Sequence, residues 1–472
     1  MAPEGPYSHP LNFANFLPSP LLPSEVIVQR ALAAFLEQPD WTEKATDRTY
    51  VTDWLIKAGV TQEVYTRTFY EKVSDYREAM MKLRRQNITI DMDLDGRWKK
   101  DGVLDREWRK RLVDAVRILE NTPPEARGFP SSAPELSPTP YRDLLDPSMY
   151  PIIYGETLSW EDGEFRSVAI PLRCTRRIDG NHCWLPTEFE ISKTGESTKI
   201  LSYINNLSLP GQDLLFHPIL EKLFTEMVPL FNYTLADPRH KDLVWNWDRY
   251  YVPQWSRGLT STAGWSNPRG LAERRLEGRT VKVVVRILNI ELTPENPQYE
   301  GDYWSIDGTR NEYIVATGVY YFARENVTDW SIKLRHKNFF STAFAQPIPA
   351  RTINDFEPTI VKENRAVVFS NMYENCISSF GLVDATKPGF AKMVVFHVCN
   401  PFHTDPPSTR KIPPQQPGQY EQSLRNSLIG QKLPEEIFQK IISYVCGNMM
   451  TEEEARSHRE ILLLERTDIW RM

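Results

Sequence analysis

No ready-made catalytic apparatus runs through this chain of 472 residues: it has no glycine-rich phosphate loop, no Gly-x-Ser-x-Gly elbow and no His-Glu-x-x-His helix. Reactive groups must therefore come from scattered side chains. Asp307 leads, because a carboxyl group facing a dry pocket serves as general acid or base. Paired with Arg286, it would instead stay charged and merely structural. A second set lies on the segment Met393–Cys399. If Ala391 faces inward, strand alternation turns Met393, Val395, His397 and Cys399 the same way. With Cys376 and Asp307 nearby, two readings stay open. One is a rebuilt Cys/His/Asp metal site; the favoured one makes Cys399 a small buried hydrophobe and His397 a satisfied polar group. Aromatics crowd the stretch before Asp307: Trp245, Trp247, Tyr250, Tyr251, Trp255, Trp265, Tyr303 and Trp304. Singly, each reads as packing. Together they read as the lid or wall of an apolar pocket whose N–H and O–H groups orient a ligand.

Such groups need strands to aim them. Thr280–Leu292 is long and β-branched, and Tyr313–Phe322, Ala366–Phe369 and Met393–Cys399 follow at intervals filled by Gly, Pro, Asn and Asp. Arg166–Arg173, His182–Ile191 and Lys199–Ile204 have the same texture. This pattern predicts a barrel or jelly roll. Helical spacing flanks it. Ser24 caps a helix carrying Val26, Ile27, Ala31, Ala34 and Phe35, and further helices are expected over Tyr50–Ala58, Thr61–Gln86 and Asp105–Glu120. One helix, His217–Phe231, interrupts the strands; Pro434–Val445 and a segment opened by the Thr451/Glu454 capping box close the chain. Proline-rich stretches at the N-terminus and at Pro123–Pro140 are neither helix nor central strand. The expected organisation is a surface arm (1–23), a helical N-terminal region (24–140), a jelly-roll core (141–420) with an aromatic lid (240–270), and C-terminal helices (421–472), in the α+β class.

Specific blocks go further. Asn289–Trp304, Asn311–Tyr321, Tyr373 and Leu382–Gly389 occur in order, flanked by Asp146–Gly155, Trp184–Phe189, Ser202–Asn206, Pro413–Gln416 and Met450–Arg456. Their sequence resembles a large fungal family, the domain-of-unknown-function family 4246, whose members are similar to Fe(II)/2-oxoglutarate oxygenases. The resemblance implies a double-stranded β-helix. Family members read Trp-His-Val-Glu-Gly in a first motif and Tyr-Gln-His-Arg-Val in a second. The two histidines and the carboxylate form a facial triad with open iron positions. A later His-Arg-Lys offers an arginine for a two-pronged grip on the cosubstrate carboxylate. Here the motifs read Trp304-Ser305-Ile306-Asp307-Gly308, Tyr373-Glu374-Asn375-Cys376-Ile377 and Gly389-Phe390-Ala391-Lys392. Ser305 and Asn375 stand in the histidine positions and Ala391 in the arginine position; Asp307 alone survives as a carboxylate. The resemblance thus implies a pocket without iron or 2-oxoglutarate, so no cofactor and no metal are expected. Asp307, Ser305 and Asn375 are its expected catalytic contacts. Tyr303, Trp304, Tyr373, Cys376, Arg286, Trp255 and Trp265 are its expected substrate contacts.

Bulk properties narrow the class. A net charge of −6 argues against a nucleic-acid binder, and 41% hydrophobic with 25% charged residues is globular composition. Five widely spaced cysteines without a Cys-x-x-Cys pair suggest a reduced, cytoplasmic protein. No signal peptide or membrane span is expected. Three functions stay open: a redox-inactive cyclase or isomerase (including an intramolecular [4+2] pericyclase) acting on a hydrophobic intermediate of fungal secondary metabolism, an oxygenase with unusual ligands, and a non-catalytic scaffold. The first is favoured, with a hydrophobic small molecule as partner.

Overall fold

The computed structural model describes residues 23–93, 97–121, 141–171, 180–207, 212–236, 275–335, 356–427, 429–446 and 449–471. The expected aromatic lid at 240–270, with Trp255 and Trp265, lies outside the described residues, as does Pro123–Pro140.

The long β-branched runs do form the centre of a large antiparallel sheet. Its strands lie in the order Asp91–Met92, Trp98–Asp101, Arg365–Ser370, Ile314–Glu325, Gly389–Cys399, Thr280–Leu292, Thr187–Ile191 and Thr198–Ile200, with Tyr141–Leu145 pairing the far half of Thr280–Leu292. The 280–292 strand keeps the expected bounds to the residue. His182–Ile191 instead breaks into His182–Cys183 and Thr187–Ile191, because Pro186 offers no N–H to a ladder. The N-terminal region is not wholly helical: Trp98–Asp101 leaves the helices to pair with Arg365–Ser370.

Alternation gives this sheet two apolar faces. On one, Val281, Val283, Val285 and Ile287 join Val394, Phe396 and Val398 in a core covered by the helix Gln212–Leu235. Each side chain buried so completely contributes roughly 1.5–3 kcal/mol. Gly318 permits the close approach of that helix: a Cβ there would come within 2.6 Å of Met227 Cε and 2.7 Å of Phe231 Cζ. On the other face, Leu288, Ile290, Val319, Tyr321, Val367, Phe369, Ala391, Met393 and Val395 build a second core. It is closed by a smaller antiparallel sheet, Thr359–Ile360, Ser331–Arg335 and Glu374–Ile377, which contributes Ile332 and Leu334. The candidate site borders this second core, where Asn375 of the smaller sheet bridges to Ser305. Among the described residues, no helix is long and apolar enough to cross a membrane.

Candidate functional site

The sequence-predicted trio converges. Ser305 and Asn375 lie opposite each other in an antiparallel bridge, Asn375 N–H donating to Ser305 O at 2.8 Å and Ser305 N–H to Asn375 O at 3.2 Å. Asn375 Nδ2 donates to Asp307 Oδ2 at 3.3 Å and to Ser305 O at 3.3 Å. Asp307 is fixed from the backbone side as well. Its N–H donates to Asn371 Oδ1 at 3.0 Å, and Asn371 Nδ2 returns a bond to Asp307 O at 2.8 Å. Gly308 follows with φ +75°, a turn conformation that favours glycine.

Thr317 was not singled out from the sequence, yet it organises the site. Its hydroxyl donates to Asp307 Oδ2 at 2.6 Å and lies 3.1 Å from His397 Nδ1. A hydroxyl has one proton. With that proton on Asp307, Thr317 accepts from His397, which fixes the Nδ1–H tautomer. Burial holds the His397 ring well below its ordinary range, at about 4, against the pull of Asp307. The neutral ring thus leaves Nε2 as a bare acceptor, buried and without a partner. His397 is 3% exposed and Asp307 18%, so the carboxylate lies nearer solvent than the imidazole. Asp307 Oδ1 has no hydrogen-bond partner among the described residues. Trp184 packs on His397 at 5.1 Å between ring centroids, and Arg466 of the last helix lies over Trp184.

Several expectations are corrected. Arg286 does not pair with Asp307: its Nε and Nη2 grip Asp143 at 2.7 and 3.0 Å. Burial pushes the Asp143 carboxyl up even so. Arg286 keeps 28% side-chain exposure in the middle of a strand flanked on both sides. His397 is not the satisfied group expected, since only one of its nitrogens is bonded. Tyr303 turns to solvent at 87% exposure and takes no part in the interior. Trp304 sits at the rim beneath the Arg335 guanidinium, 4.3 Å from its ring. Tyr373 belongs to the second core, edge-on to Phe356. Cys376 pairs with Lys333, one residue out of phase with Asn375, so alternation points it away from the site.

Other groups on this inner face gave no signal in the sequence beyond period-2 spacing. Tyr299 donates to Asp302 Oδ1 and packs against Tyr141 at 5.9 Å. The Ile377 N–H donates to Asp302 Oδ2 at 3.3 Å, while burial pushes the Asp302 carboxyl up.

Iron fits these residues poorly. Serine and an amide are weak Fe(II) ligands, Asn375 Nδ2 is already committed as a donor to Asp307, and among the described residues no three His, Cys, Asp or Glu side chains group as a metal site. Ala391 faces inward, as alternation required, but offers no charge to a cosubstrate.

A model of the protein-of-unknown-function family DUF4246 matches residues 68–423, and the chain belongs to that family. The match does not include the tail block 450–456. Among solved structures, the chain is similar to the Fe(II)/α-ketoglutarate-dependent dioxygenase TqaL, with 10% identity over 70% of this chain and 91% of that one and a TM-score of 0.30. It is similar to AviO1 from Streptomyces viridochromogenes Tue57, with 12% identity over 71% and 98% and a TM-score of 0.27. A third likeness is to a bsmA homolog from Methylobium petroleophilum PM1, with 10% identity over 68% and 92% and a TM-score of 0.26. No curated protein matches the chain.

Proposed function

We propose that this protein is a redox-inactive cyclase or isomerase that moulds a hydrophobic small molecule between the two sheets of a distorted double-stranded β-helix. The carrying observation is the hydrogen-bonded array Asn375–Asp307–Thr317–His397, two of whose members, Asp307 and Asn375, are positions at which the family resemblance implies iron ligands. It gives an apolar interior one fixed polar pole. An intramolecular [4+2] addition needs little more. The apolar wall holds the reacting carbons as a near-attack conformer, and the Asp307 carboxylate orients the substrate by accepting a hydrogen bond from one of its O–H or N–H groups. No atom enters or leaves. For an isomerisation, Asp307 Oδ1 takes a proton from one carbon and returns it to another, with Thr317 and Asn375 holding the carboxylate in place. The neutral His397 adds no positive charge beside it.

Charge supports this reading against a dicarboxylate cosubstrate. The guanidinium groups bordering this face are already matched: Arg286 to Asp143, Arg335 to Glu374, and Arg365 to Asp101 and Glu37. Asp302 and Asp307 would repel a dianion. A setting in fungal secondary metabolism suits such a recruited pocket.

The first test is metal analysis of the purified protein with calorimetric titration of Fe(II) and 2-oxoglutarate; neither is expected to bind. Stoichiometric iron with micromolar 2-oxoglutarate binding would restore the oxygenase. The second is metabolite profiling of a host lacking the gene. A precursor of the same mass as the lost product is expected. One lighter by an oxygen refutes the proposal, and an unchanged profile favours a scaffold.

A further inference from the structure

The second core holds donors that the Asp307 array does not use. Among the described residues, the Tyr321 hydroxyl, 2% exposed, and Trp330 Nε1–H, 3% exposed, have no hydrogen-bond partner of good geometry; the Trp330 N–H only leans towards the Tyr321 oxygen. A buried donor left unmatched costs about 1–3 kcal/mol, so a pair of them in one apolar wall calls for an explanation. They are neighbours, with ring centroids 5.9 Å apart and edge to face. Tyr321 belongs to the inward side of the 314–325 strand, paired with Met393. Trp330 stacks on Phe380 at 4.8 Å, and Phe380 packs on Tyr299 at 5.1 Å. Beside them runs the chain of oxygens Asp302, Tyr299 and Tyr141. Tyr141 and Tyr321 both lie close enough to Asp302 to feel its charge.

We propose that Tyr321 and Trp330, beside the Tyr141–Tyr299–Asp302 chain, form an oxygen-binding subsite that takes an uncharged carbonyl of the substrate. The two unmatched groups are both donors, so the missing partner is an acceptor. A carboxylate is disfavoured there, because Asp302 and Asp307 lie close enough to feel each other's charge and Arg286 is already neutralised by Asp143. A ketone or enone oxygen meets both conditions. Donors aimed at a carbonyl in a dry wall also draw electron density from a conjugated double bond, the activation that a cycloaddition or double-bond shift uses. This deepens the reading above and rests on its claim that the interior admits a small molecule.

The experiment compares three probes of one shape by calorimetry on the full-length protein: 2-acetylnaphthalene, 2-ethylnaphthalene and 2-naphthoate. The ketone is expected to bind about tenfold more tightly than the hydrocarbon and the acid. Tyr321→Phe, which removes one oxygen atom, should abolish that preference while leaving hydrocarbon affinity unchanged. The infrared carbonyl band of the bound ketone should fall in frequency in the wild type and recover in Tyr321→Phe; Trp330→Phe should give a partial recovery. If hydrocarbon and ketone bind equally, the subsite is wrong and the apolar cavity survives. If 2-naphthoate binds best, the charge argument fails. If none binds, the cavity reading falls and the subsite with it.

Discussion

The buried His397 gives the most direct test of the array. Its ring titrates near 4 in the folded protein, against an ordinary value of 6.5, because burial penalises the imidazolium. The unfolded chain therefore takes up a proton that the native state refuses. Stability is full above about 6.5 and declines as the pH falls towards 4. The whole window is worth about 3 kcal/mol, of which about 2.5 kcal/mol is lost by pH 4.5. With the ring 3% exposed, solvent screening reduces this little. In His397→Asn, the amide Nδ2 replaces Nδ1–H as donor to Thr317 but cannot take up a proton. Urea unfolding followed by tryptophan fluorescence at pH 7 and pH 4.5 measures the difference. All other titrating groups are common to both proteins and cancel. The wild type should lose about 2.5 kcal/mol more than the variant on acidification. Equal losses would refute a buried, neutral His397. A nitrogen-15 shift placing the proton on Nε2 would refute the tautomer and the direction of the Thr317 bond with it.

Other perturbations read other parts of the structure. Arg365→Met leaves Glu37 and Asp101 without their shared guanidinium, and should destabilise the fold by about 3–5 kcal/mol in denaturant titration. Glu37 is held at about 2 by Lys99 and Arg365 against the opposing effect of burial, so its contribution is present above pH 4.5 and lost as the pH falls towards 2; Glu37→Gln should flatten that acid limb. Gly318→Val drives methyls into Met227 and Phe231 and should cost about 1–3 kcal/mol by the same measure. Ser305→His with Asn375→His places two imidazoles across one antiparallel bridge beside Asp307. That variant should bind Co(II) with visible d–d bands absent from the wild type; a spectrum identical to the parent would show that the frame no longer supports a triad.

How much of this was legible in the sequence follows from the range of each interaction. Thr280–Leu292 could be read to the residue because a run of β-branched side chains is a local property. Trp98–Asp101 could not: Trp-Lys-Lys-Asp shows no alternation, and only its ladder to Arg365–Ser370 makes it a strand. In the site, Ser305, Asp307 and Asn375 were located through the motif frame, and alternation carried Ala391, Met393 and Val395 inward. The Arg286–Asp143 pair was not legible because Asp143 lies 143 residues away, on a strand whose pairing no local pattern reveals. Thr317 is one threonine in an apolar strand; its role appears only when the 314–325 strand is set against the 389–399 strand, with Thr317 opposite His397.

The hydrogen bonds at the site make joint physical sense. A carboxylate kept in an apolar interior without a cation has to find donors, or its desolvation destabilises the fold. Asp307 finds two on a single oxygen, Thr317 Oγ1–H and Asn375 Nδ2–H. The Asn375 amide reaches both Asp307 and the Ser305 carbonyl, so it closes the bridge and matches the acid at once. An apolar residue there would leave Asp307 short of a donor. The other oxygen, Oδ1, stays open. In the proposed pocket Asp307 is the acceptor and the Tyr321 side supplies donors, with Val319, Met393 and Val395 among the apolar residues of the same core. A molecule spanning that pocket would have its polar ends fixed and its middle left to shape, the arrangement that favours internal bond formation over exchange with solvent.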